Sequence, residues 1–505
     1  MLPRPTRFQR FLDRLERVGN ALPHPATLFL LLAGMVVLVS AVLSVTGLEV
    51  IHPARNEPVR AFNLLSVEGL HRIILGVLPN FINFAPLGSV LVCVLGLSIA
   101  EHSGLLSAVM RLIVQAAPGR LLTMVVVFCG VTSNTAGDVG YVLLLPLSAA
   151  LFHSAGRHPL AGIAASFAGV SGGFAANLLI SPTDVILAGL SQEAARILDP
   201  AYTVTPMANY FFLAASVFVV TAVGTVVTEK VVVPRLGTYR GDAAAQPITA
   251  LTAAEWRGLR WAGISLLILS ALVLAGLLPE NGFLQDPKNP GFIGSYFVRG
   301  LVFFIFVFGL IPGVAYGIAA GTVQSDADVY KGMQRTLELL AGYLVVVFFI
   351  AQFVAFFNWT NLGVILAVEG ATVLRALELG PIPLMIGLVL LTATINLVVG
   401  SSSAKWAMLA PIFVPMFMLL GYAPELTQSA YRVGDSTTNI ITPLMSNFPL
   451  VLMFAQRYEP KAGIGTMTAL MLPYSLANLV AWTAFLIVWV LLGWPPGPGA
   501  PLLMP

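Results

Sequence analysis

Two short stretches in the last quarter of the chain place charged, hydroxyl and amide side chains inside otherwise apolar sequence. Residues 400–405 read Gly-Ser-Ser-Ser-Ala-Lys, and residues 432–439 read Arg-Val-Gly-Asp-Ser-Thr-Thr-Asn. Arg432 and Asp435 are three residues apart, so a helix would carry them on one face. Such groups could bind an anion through the arginine and a small cation through the oxygens. Arg432 could instead lie at a membrane surface with its charge in water.

Similar polar stretches occur earlier in the chain. Residues 132–138 read Thr-Ser-Asn-Thr-Ala-Gly-Asp, and Asn177 and Asp184 follow a Gly-Gly pair. A small hard cation such as Na⁺ is bound by several oxygens, which these side chains and freed backbone carbonyls would supply. Asp184 or Asp435 could carry a proton instead, and Asp184 could also lie in an outer loop. The predicted ion-binding residues are Ser133, Asn134, Asn177, Asp435 and Asn439, with Na⁺ possible at the last four.

The elements that must position these residues are membrane helices. Of the 505 residues, 57% are hydrophobic and 10% are charged, whereas a soluble domain carries roughly 25% charged residues. Two apolar stretches, 107–152 and 380–422, are each long enough for two short helices and contain the hairpin-tip sequences 132–138 and 400–405. We predict an all-α integral membrane protein with nine spanning helices at about 27–47, 72–100, 160–180, 207–228, 260–278, 296–322, 338–370, 429–456 and 467–494.

Several classes of chemistry lack a sequence signal. Cys93 and Cys129 lie in apolar runs, the six histidines show no metal-ligand spacing, and there is no phosphate-binding loop for ATP. Ser401 and Lys405 are four residues apart, as in a Ser–Lys hydrolase, but nothing else in the sequence indicates an oxyanion hole. We therefore predict a non-enzymatic protein with no cofactor except Na⁺ or H⁺, and with no nucleic-acid partner.

The distribution of Lys and Arg predicts the orientation, because cytoplasmic loops are enriched in these residues. The arm formed by residues 1–25 is basic and amphipathic, so we place the N-terminus in the cytoplasm. The other basic loops lie on the cytoplasmic side as well only if 107–152 and 380–422 are re-entrant hairpins, which enter and leave the membrane by the same face. An odd number of spans then places the C-terminus outside, although Arg375 and Arg432 would also lie on or near the outer side.

An internal repeat supports the two hairpins. Three pairs of segments recur in order, beginning at Leu87 and Leu362, at Ser133 and Ser402, and at Gly173 and Gly434. We interpret 72–228 and 338–494 as inverted repeats, each a helix, a hairpin and two helices, whose binding site lies at the membrane midplane. The remaining divisions are 26–71 as the first helix and its outer loop, 229–337 as connecting helices that scaffold or dimerise, and 495–505 as a tail.

Two segments of the second repeat carry a family resemblance. They are Gly400-Ser-Ser-Ser-Ala-Lys-Trp-Ala-Met-Leu-Ala-Pro-Ile-Phe-Val-Pro-Met416 and Tyr431-Arg-Val-Gly-Asp-Ser-Thr-Thr-Asn-Ile-Ile-Thr-Pro443, supported by Ser133-Asn-Thr-Ala-Gly-Asp138. The sequence resembles the AbgT (p-aminobenzoyl-glutamate transporter) family, within the ion-transporter superfamily. This resemblance implies a homodimer in a bacterial inner membrane, with a substrate path lined by Asp184, Asn396, Trp406, Pro424, Arg432 and Asp435.

The residues and the resemblance together predict an ion-coupled secondary transporter of p-aminobenzoyl-type aromatic anions. Arg432 would bind a carboxylate or sulfonyl oxygen, and Trp406 would stack on the aryl ring unless it only marks a membrane interface. Asn396 needs a polar partner within its apolar helix, and Ser403 joins the predicted substrate-binding residues. The family is associated with p-aminobenzoyl-glutamate uptake and with sulfonamide export. The alternatives are a channel or carrier for another small organic anion, such as a dicarboxylate, and an intramembrane hydrolase.

Overall fold

The computed structural model describes residues 23–52, 56–116, 118–136, 140–241, 250–442 and 444–504. The predicted amphipathic segment 1–25 therefore lies almost wholly outside the described residues. The helices are α1 Pro25–Thr46, α2 Val67–Ile82, α3 Ala85–His102, α4 Leu105–Gln115, α5 Leu122–Thr132, α6 Leu145–Ser154, α7 Pro159–Val170, α8 Pro182–Ala195, α9 Tyr210–Val227, α10 Val233–Leu236, α11 Ala253–Leu277, α12 Tyr296–Arg299, α13 Leu301–Ala320, α14 Asp326–Trp359, α15 Leu362–Ala376, α16 Pro381–Asn396, α17 Ser402–Leu419, α18 Pro424–Thr437, α19 Phe448–Gln456 and α20 Ile464–Leu491.

The predicted all-α membrane architecture is confirmed. Within the described ranges, eight helices are long and apolar enough to cross a membrane, and a ninth counts if α4 and the helix that begins at Gly119 form one bent span. The loop after α1 also holds a small antiparallel hairpin that the sequence reading missed, with strands β1 Glu49–Ile51 and β2 Pro58–Arg60.

Several predicted single helices are divided in the structure. The span 160–180 ends at Val170, and its chain becomes helical again only at Pro182. The span 429–456 is divided between α18 and α19, and 72–100 between α2 and α3. The span 338–370 divides because Asn361 adopts a φ of 60°, a left-handed conformation that asparagine tolerates but that a right-handed helix cannot contain. Apolar composition located all four segments. The glycine, amide and hydroxyl residues after Gly172-Gly173 and within 432–439 also predicted the first two interruptions, whereas those after Ile82 and at Asn361 were not predicted.

The first hairpin is shorter than predicted. Helix α4 is bent by 111° from the segment Gly119–Thr132, so the hairpin arms begin at Gly119 rather than at residue 107. Helix α5 has 11 residues, which corresponds to about 17 Å, whereas the hydrocarbon core is about 30 Å thick. An arm of this length reaches only partway into a bilayer and returns.

The most polar of the longer helices, α18, is completely buried. All 14 residues of α18 are buried, although they include Glu425, Arg432 and Asp435. Gly434 allows α18 to contact α16, because a Cβ atom there would lie 1.9 Å from Oγ1 of Thr392. Burial of polar side chains at the centre of an apolar protein indicates a functional site rather than a solvated surface.

Candidate functional site

Two of the divided spans meet at the centre of the protein: α7 with α8, the first broken helix, and α18 with α19, the second broken helix. The chain after α7 is non-helical, and its Ala175 N–H donates to Oγ of Ser436 over 3.1 Å. In return, Nδ2 of Asn439 donates to the carbonyl of Ser171 over 3.4 Å. Non-helical backbone in a membrane must form hydrogen bonds with protein or with water. At this crossing, each repeat supplies hydrogen bonds to the non-helical backbone or the side chains of the other.

Asp184 and Arg432 form a buried ion pair at this crossing. Nη1 of Arg432 lies 2.5 Å from Oδ1 of Asp184, and the two side chains are 2% and 5% exposed. The other carboxylate oxygen accepts from the N–H of Ser181 over 2.6 Å and from its Oγ over 2.7 Å, in a capping box that begins α8. Asp184 therefore does not lie in an outer loop, and Arg432 does not extend to a membrane surface.

Asp435 has its own buried cation, Lys405. Nζ of Lys405 lies 2.5 Å from Oδ1 of Asp435, and both side chains are 1% exposed. Oγ of Ser402 donates to Oδ2 of Asp435 over 2.7 Å, and the hydroxyl of Tyr431 lies 3.2 Å from Oδ1. Both oxygens of Asp435 are thus bound by groups of the chain itself.

Asn396 connects the second hairpin to the second broken helix. Its Nδ2 lies 2.6 Å from the carbonyl of Asp435, 2.9 Å from Oγ1 of Thr438 and 2.8 Å from Oδ1 of Asn439. Its Oδ1 accepts a hydrogen bond from Nζ of Lys405. Asn396 therefore has the polar partners that the sequence predicts, on both its amide nitrogen and its amide oxygen.

Trp406 lies in the interior and does not mark an interface. Its ring stacks on Tyr431 with a centroid distance of 4.4 Å and an interplanar angle of 30°. Its indole N–H donates to Oγ of Ser191 over 2.9 Å, and Ser191 donates to Oε1 of Gln428 over 3.2 Å. Trp406 directly follows Lys405 in the chain and Tyr431 directly precedes Arg432, and polar side chains of α8 and α18 hold the aromatic pair in place.

The first hairpin places Ser133 and Asn134 beside the first broken helix. Nδ2 of Asn134 donates to the carbonyls of Val131, over 2.9 Å, and Gly173, over 3.3 Å. Oγ of Ser133 donates to the carbonyl of Gly130 over 2.7 Å. Asp138, which belongs to the same predicted tip, lies outside the described residues.

The predicted ion ligands are divided between two networks rather than gathered around one point. Asp435 and Asn439 belong to the Lys405 network, whereas Nδ2 of Asn177 lies 3.4 Å from Oδ2 of Asp184. Oδ1 of Asn177 and Oγ of Ser171 are buried and have no hydrogen-bond partner. A narrow cavity reaches Asn177 and Asp184 between residues of the first repeat, namely Leu179, Ile180, Pro206, Tyr210 and Leu213.

Two predicted substrate residues lie nearby without direct contact to the ion pairs. Pro424 is the first residue of α18 and is buried, a position where proline is favoured because its missing N–H has no helical partner. Ser403 is half-buried in the first turn of α17, and its Oγ lies 3.4 Å from Oγ of Ser401. The neighbouring Ser402, rather than Ser403, contacts Asp435.

Lys405, Tyr431 and Ser402 are the central residues that sequence reasoning missed. In the sequence, Lys405 belongs to the polar stretch 400–405 and to a hydrolase-like spacing with Ser401, and Tyr431 belongs to a segment that carries the family resemblance. A lysine inside an apolar hairpin requires a buried partner, and that partner is Asp435. No comparable sequence signal indicates Ser191, whose hydroxyl meets Trp406 only in the folded chain.

Comparison with known proteins gives consistent matches along almost the whole chain. Residues 10–504 match the family described as the AbgT putative transporter family. The p-aminobenzoyl-glutamate transport protein of Escherichia coli (strain K12) is 42% identical over 485 residues, which are 96% of this chain and 95% of that protein. Two solved structures also match. The first is the YdaH transporter of Alcanivorax borkumensis, with a TM-score of 0.90 and 47% sequence identity. The match covers 94% of this chain and all of the YdaH chain. MtrF of Neisseria gonorrhoeae, described as one of a class of antimetabolite efflux pumps, has a TM-score of 0.92 at 48% identity over 97% of this chain and all of its own.

Proposed function

The chain belongs to the AbgT family of transporters, and from that premise we propose that it moves p-aminobenzoyl-type aromatic anions across a membrane by ion-coupled secondary transport. The substrates proposed are p-aminobenzoyl-glutamate, sulfonamide antimetabolites, or both. The observation that carries the proposal is the crossing of two broken helices, where a buried arginine, a buried lysine and a stacked aromatic pair lie on α17 and α18.

The chemistry of the substrate matches these groups. A p-aminobenzoyl compound or a sulfonamide has an aryl ring and acidic or sulfonyl oxygens. Arg432 is the proposed oxygen ligand, because its Nε is buried and has no hydrogen-bond partner, so the guanidinium retains donor capacity beyond its bond to Asp184. Trp406 and Tyr431 already form an aromatic stack, onto which an aryl ring would add. Asn396, Ser403 and Pro424 complete the proposed path.

We propose Na⁺ as the coupling ion, with H⁺ as the alternative. Asn177 supports a site in the first repeat, because its Oδ1 is buried without a partner and an unsatisfied buried oxygen is costly. Asn134 and Asn439 contact the carbonyls of Gly173 and Ser171 on the same broken segment. Carbonyl and amide oxygens of this kind suit a hard monovalent cation. Within the described residues, no group of His, Cys, Asp and Glu could hold a heavier metal.

A carrier is favoured over a channel by the arrangement of the charges. The polar side chains of the described residues concentrate where α8, α16, α17 and α18 meet, and the central charges are paired with each other. A channel would need a continuous polar path across the membrane. We further propose a homodimer in a bacterial inner membrane, with the N-terminus cytoplasmic and the C-terminus periplasmic.

The test is flux of labelled p-aminobenzoyl-glutamate and of a labelled sulfonamide into and out of proteoliposomes, under separately imposed Na⁺ and H⁺ gradients. The proposal expects flux driven by one gradient and abolished in Asp435→Ala. The matched control is Asp328→Ala, since Asp328 is a partly exposed cap residue at the start of α14, away from the central ion pairs. Flux of neither compound would refute the substrate, and flux that responds to neither gradient would refute the coupling.

A further inference from the structure

The two hairpins make equivalent contacts in the two repeats, at a constant separation of 262 positions. Nδ2 of Asn134 donates to the carbonyl of Gly173, and Nδ2 of Asn396 donates to the carbonyl of Asp435. Asn177 follows Gly173 by the same interval by which Asn439 follows Asp435. The structural register of the tips thus pairs Asn134 with Asn396, not Ser133 with Ser402 as the sequence repeat suggested.

The equivalent positions differ in charge. The first repeat has Gly173 where the second has Asp435, and Oδ1 of Asn177 has no partner. In the second repeat, the oxygens of Asn396 and Asp435 converge on one cation, Nζ of Lys405. An amide oxygen and a carboxylate oxygen are ligands that a hard monovalent cation would take.

We propose that the Lys405 ammonium is a tethered cation that occupies the place of a second coupling ion. The proposal rests on the transport function proposed above. Because Lys405 is covalently attached, this half of the transporter cannot release its cation along with the substrate. Any free coupling ion then binds only at the first hairpin and its broken helix.

The physical need for a cation at this position is strong. Asp435 is 1% exposed, and removing one partner of a buried ion pair leaves an uncompensated charge in a low-dielectric interior. Ser402 and Tyr431 donate neutral hydrogen bonds to Asp435 but bring no charge. Lys405→Ala therefore creates a vacant, negatively charged site that a small cation from solution can fill.

The experiment tests whether a cation binds at this vacant site, using two readouts. Both are applied to Lys405→Ala and to the control Lys331→Ala, whose lysine is 69% exposed at the start of α14. The first readout is the melting temperature of purified protein with added ethylammonium, added Na⁺, or the neutral compound ethanol. A ligand that binds only the folded state raises its stability. We expect ethylammonium to raise the melting temperature of Lys405→Ala by roughly 2–4 °C, and Na⁺ to raise it by more than it raises that of Lys331→Ala, whose proposed Na⁺ site in the first repeat is also intact. Ethylammonium should leave Lys331→Ala unchanged, and ethanol should change neither variant.

The second readout is flux in proteoliposomes. We expect Lys405→Ala to lose at least tenfold in flux, and added ethylammonium to restore most of it. Adding Asp435→Asn to Lys405→Ala should abolish the ethylammonium effect and reduce the Na⁺ effect to that of Lys331→Ala, because no carboxylate then remains at the Lys405 position. Flux of Lys405→Ala equal to wild type, or folded Lys405→Ala that responds to neither cation more than Lys331→Ala does, would overturn the proposal.

Two further outcomes are also decisive. If Lys405→Ala cannot be recovered folded, the double variant Lys405→Met with Asp435→Asn decides. Its folding supports a role for the charge of Lys405, and its failure to fold shows that the side-chain stem matters instead and overturns the proposal. If wild-type protein shows no flux of any proposed substrate, the transport proposal fails, while the melting-temperature readout still decides whether Lys405 occupies a cation site.

Discussion

Removing Arg432 should destabilise the protein more than removing any exposed arginine. Arg432→Ala would leave Asp184 with three hydrogen-bond donors from Ser181 and Asn177 but without its ion-pair partner. Loss of one member of a buried ion pair costs about 3–5 kcal/mol. The control is Arg60→Ala, whose arginine is 72% exposed and pairs with Glu49, itself 34% exposed, so the expected loss there is about 0–1 kcal/mol.

The double variant makes this reasoning quantitative. Arg432→Gln with Asp184→Asn removes both charges, keeps similar shapes and leaves no unpaired ion. We expect it to be less destabilised than the sum of its single variants, with a coupling energy of about 0.5–3 kcal/mol. The assay is reversible denaturant unfolding in detergent micelles, followed by circular dichroism. Additive effects, with a coupling energy near zero, would refute the claim that the two charges stabilise each other across the repeats.

Three further predictions concern other contacts. Gly434→Ala should prevent correct packing of α18, because the new Cβ would lie 2.3 Å from the rigid carbonyl of Val389. Its melting temperature should fall sharply, whereas Gly463→Ala, where a Cβ meets nothing within 4 Å, should change little. Trp406→Phe should keep the stacking surface but lose the indole hydrogen bond, at about 1 kcal/mol, so its substrate KM should rise less than that of Trp406→Ala. Asn177→Ala should raise the Na⁺ concentration that gives half-maximal flux by at least tenfold.

Each of the three has an outcome that contradicts it. Wild-type stability of Gly434→Ala would show that α16 and α18 can separate without loss. Equal KM values for the two Trp406 variants would remove the aromatic stack from substrate binding. An unchanged Na⁺ dependence in Asn177→Ala would place the coupling ion away from the first broken helix.

The composition of the sequence was sufficient to predict a helical membrane protein, because a chain with so few charges can satisfy its backbone in lipid only through helices or a closed barrel. Glycines, hydroxyls and amides inside apolar runs also indicated which helices are broken. Arg432 and Asp435 are predicted to be functional from the sequence, because charges in such apolar surroundings are rare and because both lie in a segment that carries the family resemblance.

Tertiary structure decided which charges meet. Local sequence placed Arg432 and Asp435 on one helical face, yet in the fold each binds a different partner, Asp184 from the first repeat and Lys405 from the second hairpin. The distance in sequence between Asp184 and Arg432 is 248 residues, and no local pattern encodes a contact of that range. The physical reason is that a buried charge is satisfied by any opposite charge that packing brings within reach, so its partner is fixed by how the two repeats cross rather than by its neighbours in the chain.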